Sequence, residues 1–316
     1  MRTRATLLLG ALLAFGCAPA GQGPMQQLAT GQKQQQNVFE IALAENLARA
    51  KAGDVEAMRV VGQIYAIGAG VPVNHAEALR WYGQAAERGD GEAAYRMAVM
   101  IDYGVGAPPD PSEALRWLRV AAEKGHPNAQ RQLADMLAQG RGGPKNEEEA
   151  SRWYLAAAQQ GEPTAQSAIA ARLDGGVGTP ANPAEALRWY RAAAEQGSAL
   201  DQYQVGFHHD MGIGAREDDY EALAWYRRAA EQGNADAQYA LGTLHAETKS
   251  SLRDPVEACR WLEIASRASY PNARRALLSV ERKLSQRDLD DCRKLADAWI
   301  TRRAKPAAPA PSAPPG

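Results

Sequence analysis

A tryptophan returns every 36 residues, at 81, 117, 153, 189, 225 and 261, and no insertion disturbs the count. Six of the chain's seven tryptophans keep this beat. A glutamate stands four places before each: Glu77, Glu113, Glu149, Glu185, Glu221 and Glu257. A glycine opens each unit: Gly53, Gly89, Gly125, Gly161, Gly197 and Gly233. A fixed period of this size is the signature of a solenoid, in which each unit is the core of its neighbours. The length of 316 residues alone would suggest two domains. The unbroken period argues instead for one elongated array.

Each unit reads as two helices. In the first, Ala57, Val61, Gly62 and Tyr65 share one face. The slot of Gly62 holds only Gly or Ala in all six units, which lets the partner helix come close. The pair Gly68 and Gly70 recurs at 104/106, 140/142, 176/178 and 212/214, where the turn between helices calls for positive φ. The second helix opens at Asn74, Asp110, Asn146, Asn182, Asp218 and Asp254, each three residues before the repeated glutamate. That spacing predicts a capping box, with the glutamate reaching back to the cap N–H. Pro111, Pro183 and Pro255 follow the cap, where proline costs nothing. The Trp and its successor (Tyr82, Leu118, Tyr154, Tyr190, Tyr226, Leu262) are packing residues in this reading.

Taken together, G-x-x-x-A, G-x-x-Y-x-x-G-x-G and (N/D)-x-x-E-A-x-x-W-Y-x-x-A-A-E-x-G resemble the Sel-one-like repeat, a relative of the tetratricopeptide repeat. The resemblance covers about 53–283. It implies an all-α, right-handed α/α solenoid of six 36-residue helix-turn-helix repeats, 53–268, serving as an interaction scaffold. Some cysteine-rich relatives are linked to cell-wall compounds of the β-lactam type. This chain lacks their paired cysteines, so that activity is not carried over.

Outside the repeats, residues 1–17 read as an export signal: Arg2 and Arg4, an apolar stretch from Thr6 to Phe15, then Ala14-Phe15-Gly16-Cys17. This ending resembles a bacterial lipoprotein processing site, with Cys17 as the acylated residue, although Phe15 departs from the usual pattern. Ala18 after the cysteine favours, by resemblance, the periplasmic face of the outer membrane; ordinary cleavage after Ala18-Pro19-Ala20 would leave a periplasmic or secreted protein. Residues 18–37 read as a flexible tether and 38–52 as an N-terminal capping helix, with Glu45 where a Trp would stand. Thr248-Lys249-Ser250-Ser251 replaces the two-glycine turn of the sixth repeat. Residues 269–303 form the C-terminal capping helices, carrying Trp299 two places off the beat, and 304–316 is a Pro/Ala-rich tail.

No catalytic constellation emerges. His208-His209-Asp210 is the one cluster that invites a metal, but His209 and His245 fill the slot of Tyr65, a packing position. No cofactor, metal or catalytic residue is assigned. With 36 basic and 37 acidic residues and no basic patch, nucleic acid is not an expected partner. Cys259 and Cys292 remain once Cys17 carries lipid; they sit on neighbouring second-type helices within axial reach of a disulfide, or stay as two buried thiols.

A binding surface follows from the helix geometry. If slots 57, 61, 62 and 65 face the core, slots 59, 63, 66 and 67 face away, the concave side in the family. These columns hold Arg59, Gln63, Tyr95, Asp102, Tyr103, Arg131, Asp135, Tyr203, Phe207, Asp210, Met211 and Tyr239. They vary from repeat to repeat, and Tyr, Phe and Arg are good interface anchors. The competing reading is that Tyr95, Tyr203 and Tyr239 pad between repeats. The expectation is an exported, lipid-anchored scaffold that binds protein through its concave face. The alternatives are an envelope enzyme or peptidoglycan-binding factor, and a scaffold of a secretion or exopolysaccharide-export complex.

Overall fold

The computed structural model describes residues 40–246 and 252–304. Among these residues there are fifteen helices and no strand, an all-α solenoid of six helical hairpins. The helices group into two compact units that divide at Gly125 and His126, where the sequence suggested a single array; the division falls between α5 and α6 and splits no helical hairpin. The first unit holds α1 (40–51), the hairpin of α2 (Val55–Ile67) and α3 (His75–Glu87), and that of α4 (Gly91–Tyr103) and α5 (Pro111–Glu123). The second holds four more hairpins: α6 (Pro127–Gln139) with α7 (Glu147–Gln159), α8 (Pro163–Gly175) with α9 (Pro183–Glu195), α10 (Ala199–Asp210) with α11 (Asp219–Glu231), and α12 (Ala235–Ala246) with α13 (Pro255–Arg267). It ends with α14 (Ala273–Glu281) and α15 (Gln286–Ala304). Cys17, the signal and tether, the 248–251 segment and the tail from 305 lie outside the described residues.

The second helices start where the sequence placed them. Each cap side chain accepts from the backbone N–H of the repeated glutamate, as Asn74 does from Glu77 at 3.1 Å. The expected return bond from the glutamate is not made. The cap N–H donates instead across the turn to the first helix, from Asn74 to the Tyr65 carbonyl at 2.9 Å and from Asn182 to the Leu173 carbonyl at 2.7 Å. That orphan donor is already satisfied, which frees the glutamate for the indole one turn on. Trp225 and Trp261 donate Nε1 to Glu221 and Glu257, each at 3.0 Å. The first helices have caps of their own, with Asp54, Asp90, His126, Glu162 and Ser198 each accepting a backbone N–H.

Two glycine slots have physical reasons. The first of each turn pair ends its helix in the left-handed region, with φ of 74° at Gly68 and 67° at Gly176. The second needs positive φ and also the missing Cβ: at Gly106 (φ 86°) a methyl would lie 2.7 Å from the His75 carbonyl carbon of the preceding repeat. The small slot inside the first helix works as expected, since a Cβ on Gly206 would come to 2.6 Å from the Tyr226 ring.

The residue after each Trp is buried throughout, from Tyr154 at 7% to Leu262 at 0%. The tryptophans are less uniform. Trp261 is completely buried, whereas Trp153 and Trp189 are half-buried. The beat is thus a packing feature whose weight differs between repeats.

In the second unit a ladder of glutamines, buried at Gln130, Gln166, Gln202 and Gln238 and exposed at Gln160, Gln196 and Gln232, joins repeat to repeat. Gln160, Gln196 and Gln232 donate to Gln130, Gln166 and Gln202 at 2.7–2.8 Å. Gln166, Gln202 and Gln238 donate in turn to the carbonyls of Ala158, Ala194 and Ala230 in the preceding repeat. Buried amides must be paired, so this ladder fixes the register of neighbouring hairpins as well as their contact. At the end of the unit a disulfide joins Cys259 on α13 to Cys292 on α15, with Cα atoms 5.8 Å apart.

Candidate functional site

The residues singled out on the first helices fall into two groups. Slots 59, 63 and 66 are engaged in holding helices together. In the first unit, Arg59 Nε donates to Asp90 at 3.2 Å, and Gln63, Tyr95 and Asp102 are half-buried. In the second unit, Arg131 meets Asp135 at 2.5 Å and Glu162 at 3.7 Å. Asp135 also accepts from the Tyr154 hydroxyl at 2.5 Å. Burial, then this hydrogen bond, pushes the Tyr154 hydroxyl well above the ordinary tyrosine range.

The aromatic anchors behave in the same way. Tyr203 stacks on Tyr226 at 5.7 Å between ring centroids and on Phe207 at 6.2 Å. Both Tyr203 and Phe207 pack against the core around Trp261 and Trp299. Asp210 accepts from the Tyr226 hydroxyl at 3.0 Å. Tyr239 stacks on Tyr270 at 5.1 Å. Tyr203 stacks within its own repeat and Tyr239 reaches Tyr270 beyond the sixth, so each ring is partly taken up in packing.

Slot 67 is different. Ile67 and Tyr103 in the first unit are 65% and 74% exposed, and Met211 in the second is 56% exposed. The slot is the last turn of the first helix, or the residue after it, so the side chain overhangs the glycine turn and the core cannot reach it.

The histidine pair has structural partners. His208 is fully buried, edge-on to Tyr190 at 5.4 Å, with Nδ1 3.1 Å from the Ile213 carbonyl and Nε2 3.3 Å from Asp174. His209 Nε2 accepts from Arg191 at 3.0 Å, on another side of the helix. Among the described residues no group of three or more His, Cys, Asp or Glu is placed to hold a metal. Also among them, no helix is long and apolar enough to cross a membrane.

A cavity of about 250 Å³ opens among α12, α13 and α14, lined in part by Thr243, Ala246, Arg253, Leu262, Ser279 and Lys283. Sequence reasoning missed it. It lies on the same columns continued into α14, because Ala273 stands 216 residues after Ala57 and both are fully buried.

Comparison with known proteins gives the same periodicity. The Sel1 repeat pattern matches residues 55–90, 91–126, 127–162, 163–198, 199–234 and 235–270. Among solved structures, the chain is similar to c5321, a protective antigen of uropathogenic Escherichia coli with an SLR fold, at 27% identity and a TM-score of 0.62. That match covers 87% of this chain and 61% of the E. coli protein, so this chain spans less than two thirds of that relative. A Sel1 repeat protein from Oxalobacter formigenes is similar at 28% identity and a TM-score of 0.59, over 74% of this chain and 98% of that one. The search of curated proteins found no match.

Proposed function

The chain belongs to the Sel1 repeat family, and from that premise we propose that it is an exported, lipid-anchored scaffold whose first-helix face holds a protein partner. Cys17 is the acylated residue, and the repeats stand off the periplasmic face of a bacterial outer membrane on the 18–37 tether. The observation that carries the binding reading is slot 67. Single exposed apolar side chains are ordinary on a protein surface. Ile67 and Tyr103 share this slot in the first unit and Met211 holds it in the second, beside columns already committed to packing, which supports in each unit by itself a surface kept free for contact. The Cys259–Cys292 disulfide agrees with an oxidising compartment. The E. coli relative is described as a protective antigen; carried to this chain, that agrees with an envelope location.

Two variants test the two halves. Cys17→Ser should abolish fatty-acid labelling and release the protein from membranes; an unlabelled, soluble wild type would refute the anchor. Ile67→Ala with Tyr103→Ala, both in the first unit, should lose the partner recovered with wild type from solubilised envelopes while helicity is unchanged. Recovery of the same partner by the double variant would refute the face.

A further inference from the structure

Slot 66 carries a carboxylate in three of the repeats, Asp102, Asp174 and Asp210. In the second unit these acids have partners: Asp174 sits 3.3 Å from His208 Nε2, and Asp210 accepts from Tyr226. In the sixth repeat the slot holds Ala246, and the 250 Å³ cavity opens beside it. Two cations line that cavity, Arg253 and Lys283, and neither has a carboxylate partner among the described residues. The acids that follow are taken: Glu281 pairs with Arg293 at 3.6 Å, Asp288 accepts from Ser285, and Asp291 pairs with Lys294. Arg275 on α14 and Arg282 just after it are exposed at the same binding slots, again without an acid among the described residues. Slot 66, which holds no cation in the six repeats, thus holds Arg282 after α14, and slot 67 holds Lys283. Leu262 and Val280 make part of the wall apolar, and a carboxylate held there by a cation is bound more strongly than one in open water.

We propose that this cavity takes the carboxylate of an Asp or Glu side chain from an acidic segment of the protein partner. The inference rests on the partner-binding reading above and names the chemistry that one end of that face recognises. Arg253 and Lys283 supply the charge, the Ser279 hydroxyl donates a hydrogen bond, and Leu262 covers the methylenes.

The test uses the full chain and a short fluorescein-labelled peptide of alternating Glu and Ala, followed by fluorescence anisotropy, with the Gln counterpart alongside. The Glu peptide should bind and the Gln peptide should not. Arg253→Gln with Lys283→Gln should weaken binding by about tenfold or more. Ser279→Leu, at an exposed position, fills the cavity without changing charge and should also abolish binding. Arg188→Gln, which removes an exposed cation from α9, should leave it intact. Equal binding of both peptides, or equal loss with Arg188→Gln, would overturn the inference. Competition by inorganic phosphate or phosphatidylglycerol vesicles as strong as by unlabelled Glu peptide would do so too. A cellular partner captured equally by the Arg253→Gln/Lys283→Gln variant overturns this inference and leaves the broader reading standing. Specific Glu-peptide binding with no partner on the first helices does the reverse.

Discussion

Trp261→Ala and Trp153→Ala remove the same residue from the same slot and should not cost the same. The Trp261 indole is fully buried, edge-on to Trp299 at 6.0 Å, with the Arg260 guanidinium 4.5 Å from its centre. Trp153 is half-buried and its Nε1 reaches Glu149 only at 3.4 Å. A buried Trp removes roughly 150–250 Å² from water. At about 25 cal/mol per Å² that is about 4–6 kcal/mol, an upper bound because the unfolded chain is itself partly collapsed. Large-to-alanine changes in cores cost about 3–5 kcal/mol. The expected loss is therefore about 4 kcal/mol for Trp261→Ala and about 2 kcal/mol for Trp153→Ala. Guanidinium unfolding followed by far-UV circular dichroism gives both values, and hydrogen exchange shows which hairpins loosen. A cost at 153 equal to or above that at 261 would refute the packing argument, because the two sites differ chiefly in burial.

Three further outcomes are expected. Replacing Cys259 and Cys292 by Ala opens a covalent loop spanning 33 residues, which in the chain-entropy model removes about 4 kcal/mol from the C-terminal end; alkylation and intact mass of the denatured protein should find no free thiol at 259 or 292 until reductant is added. Gln202→Ala removes the acceptor of Gln232 and one donor to the Ala194 carbonyl, which keeps the Gly197 N–H, and should cost about 1 kcal/mol; an unchanged unfolding midpoint would mean the ladder is incidental. The Lys145 and Arg172 cations hold the Glu147 carboxyl below its ordinary value of 4.5. A depressed folded pKa gives stability that is present above pH 4.5 and lost as pH falls below it, so Arg172→Gln should flatten thermal stability against pH in the acid range and leave the neutral-to-alkaline profile parallel to wild type.

Much of the fold was legible because the features that fix it act at fixed offsets. Asn or Asp three residues before a Glu marks a helix start wherever it occurs, and all six second helices begin there. The glycine pairs marked the turns for the same reason. The first-helix caps were not seen, since Asp54, His126, Glu162 and Ser198 do one job with dissimilar side chains. The glutamine ladder did leave a signal: Gln130, Gln166 and Gln202 occur in the same repeats as Gln160, Gln196 and Gln232. Reading it required knowing that two slots 30 residues apart meet. The capping box misled because a local motif cannot show that a carbonyl from the previous helix already takes the cap N–H. Trp burial was uneven because it depends on the neighbouring repeat. The candidate face was legible as columns, but which columns are free depends on ring-to-ring contacts such as Tyr203 on Tyr226. The cavity beside Ala246 is lined from three helices, one of them α14 beyond the last full repeat, which periodicity does not announce.

The central claim, that slot 67 meets a protein partner, is tested most directly by photocrosslinking in living cells. A photoreactive amino acid replaces Met211, exposed at the end of α10, or Arg188, exposed on α9. Mass spectrometry then identifies the adducts. The account predicts one protein captured repeatedly from position 211 and not from 188. Equal capture from both positions, or none from 211 in cells where the protein is abundant, would contradict it.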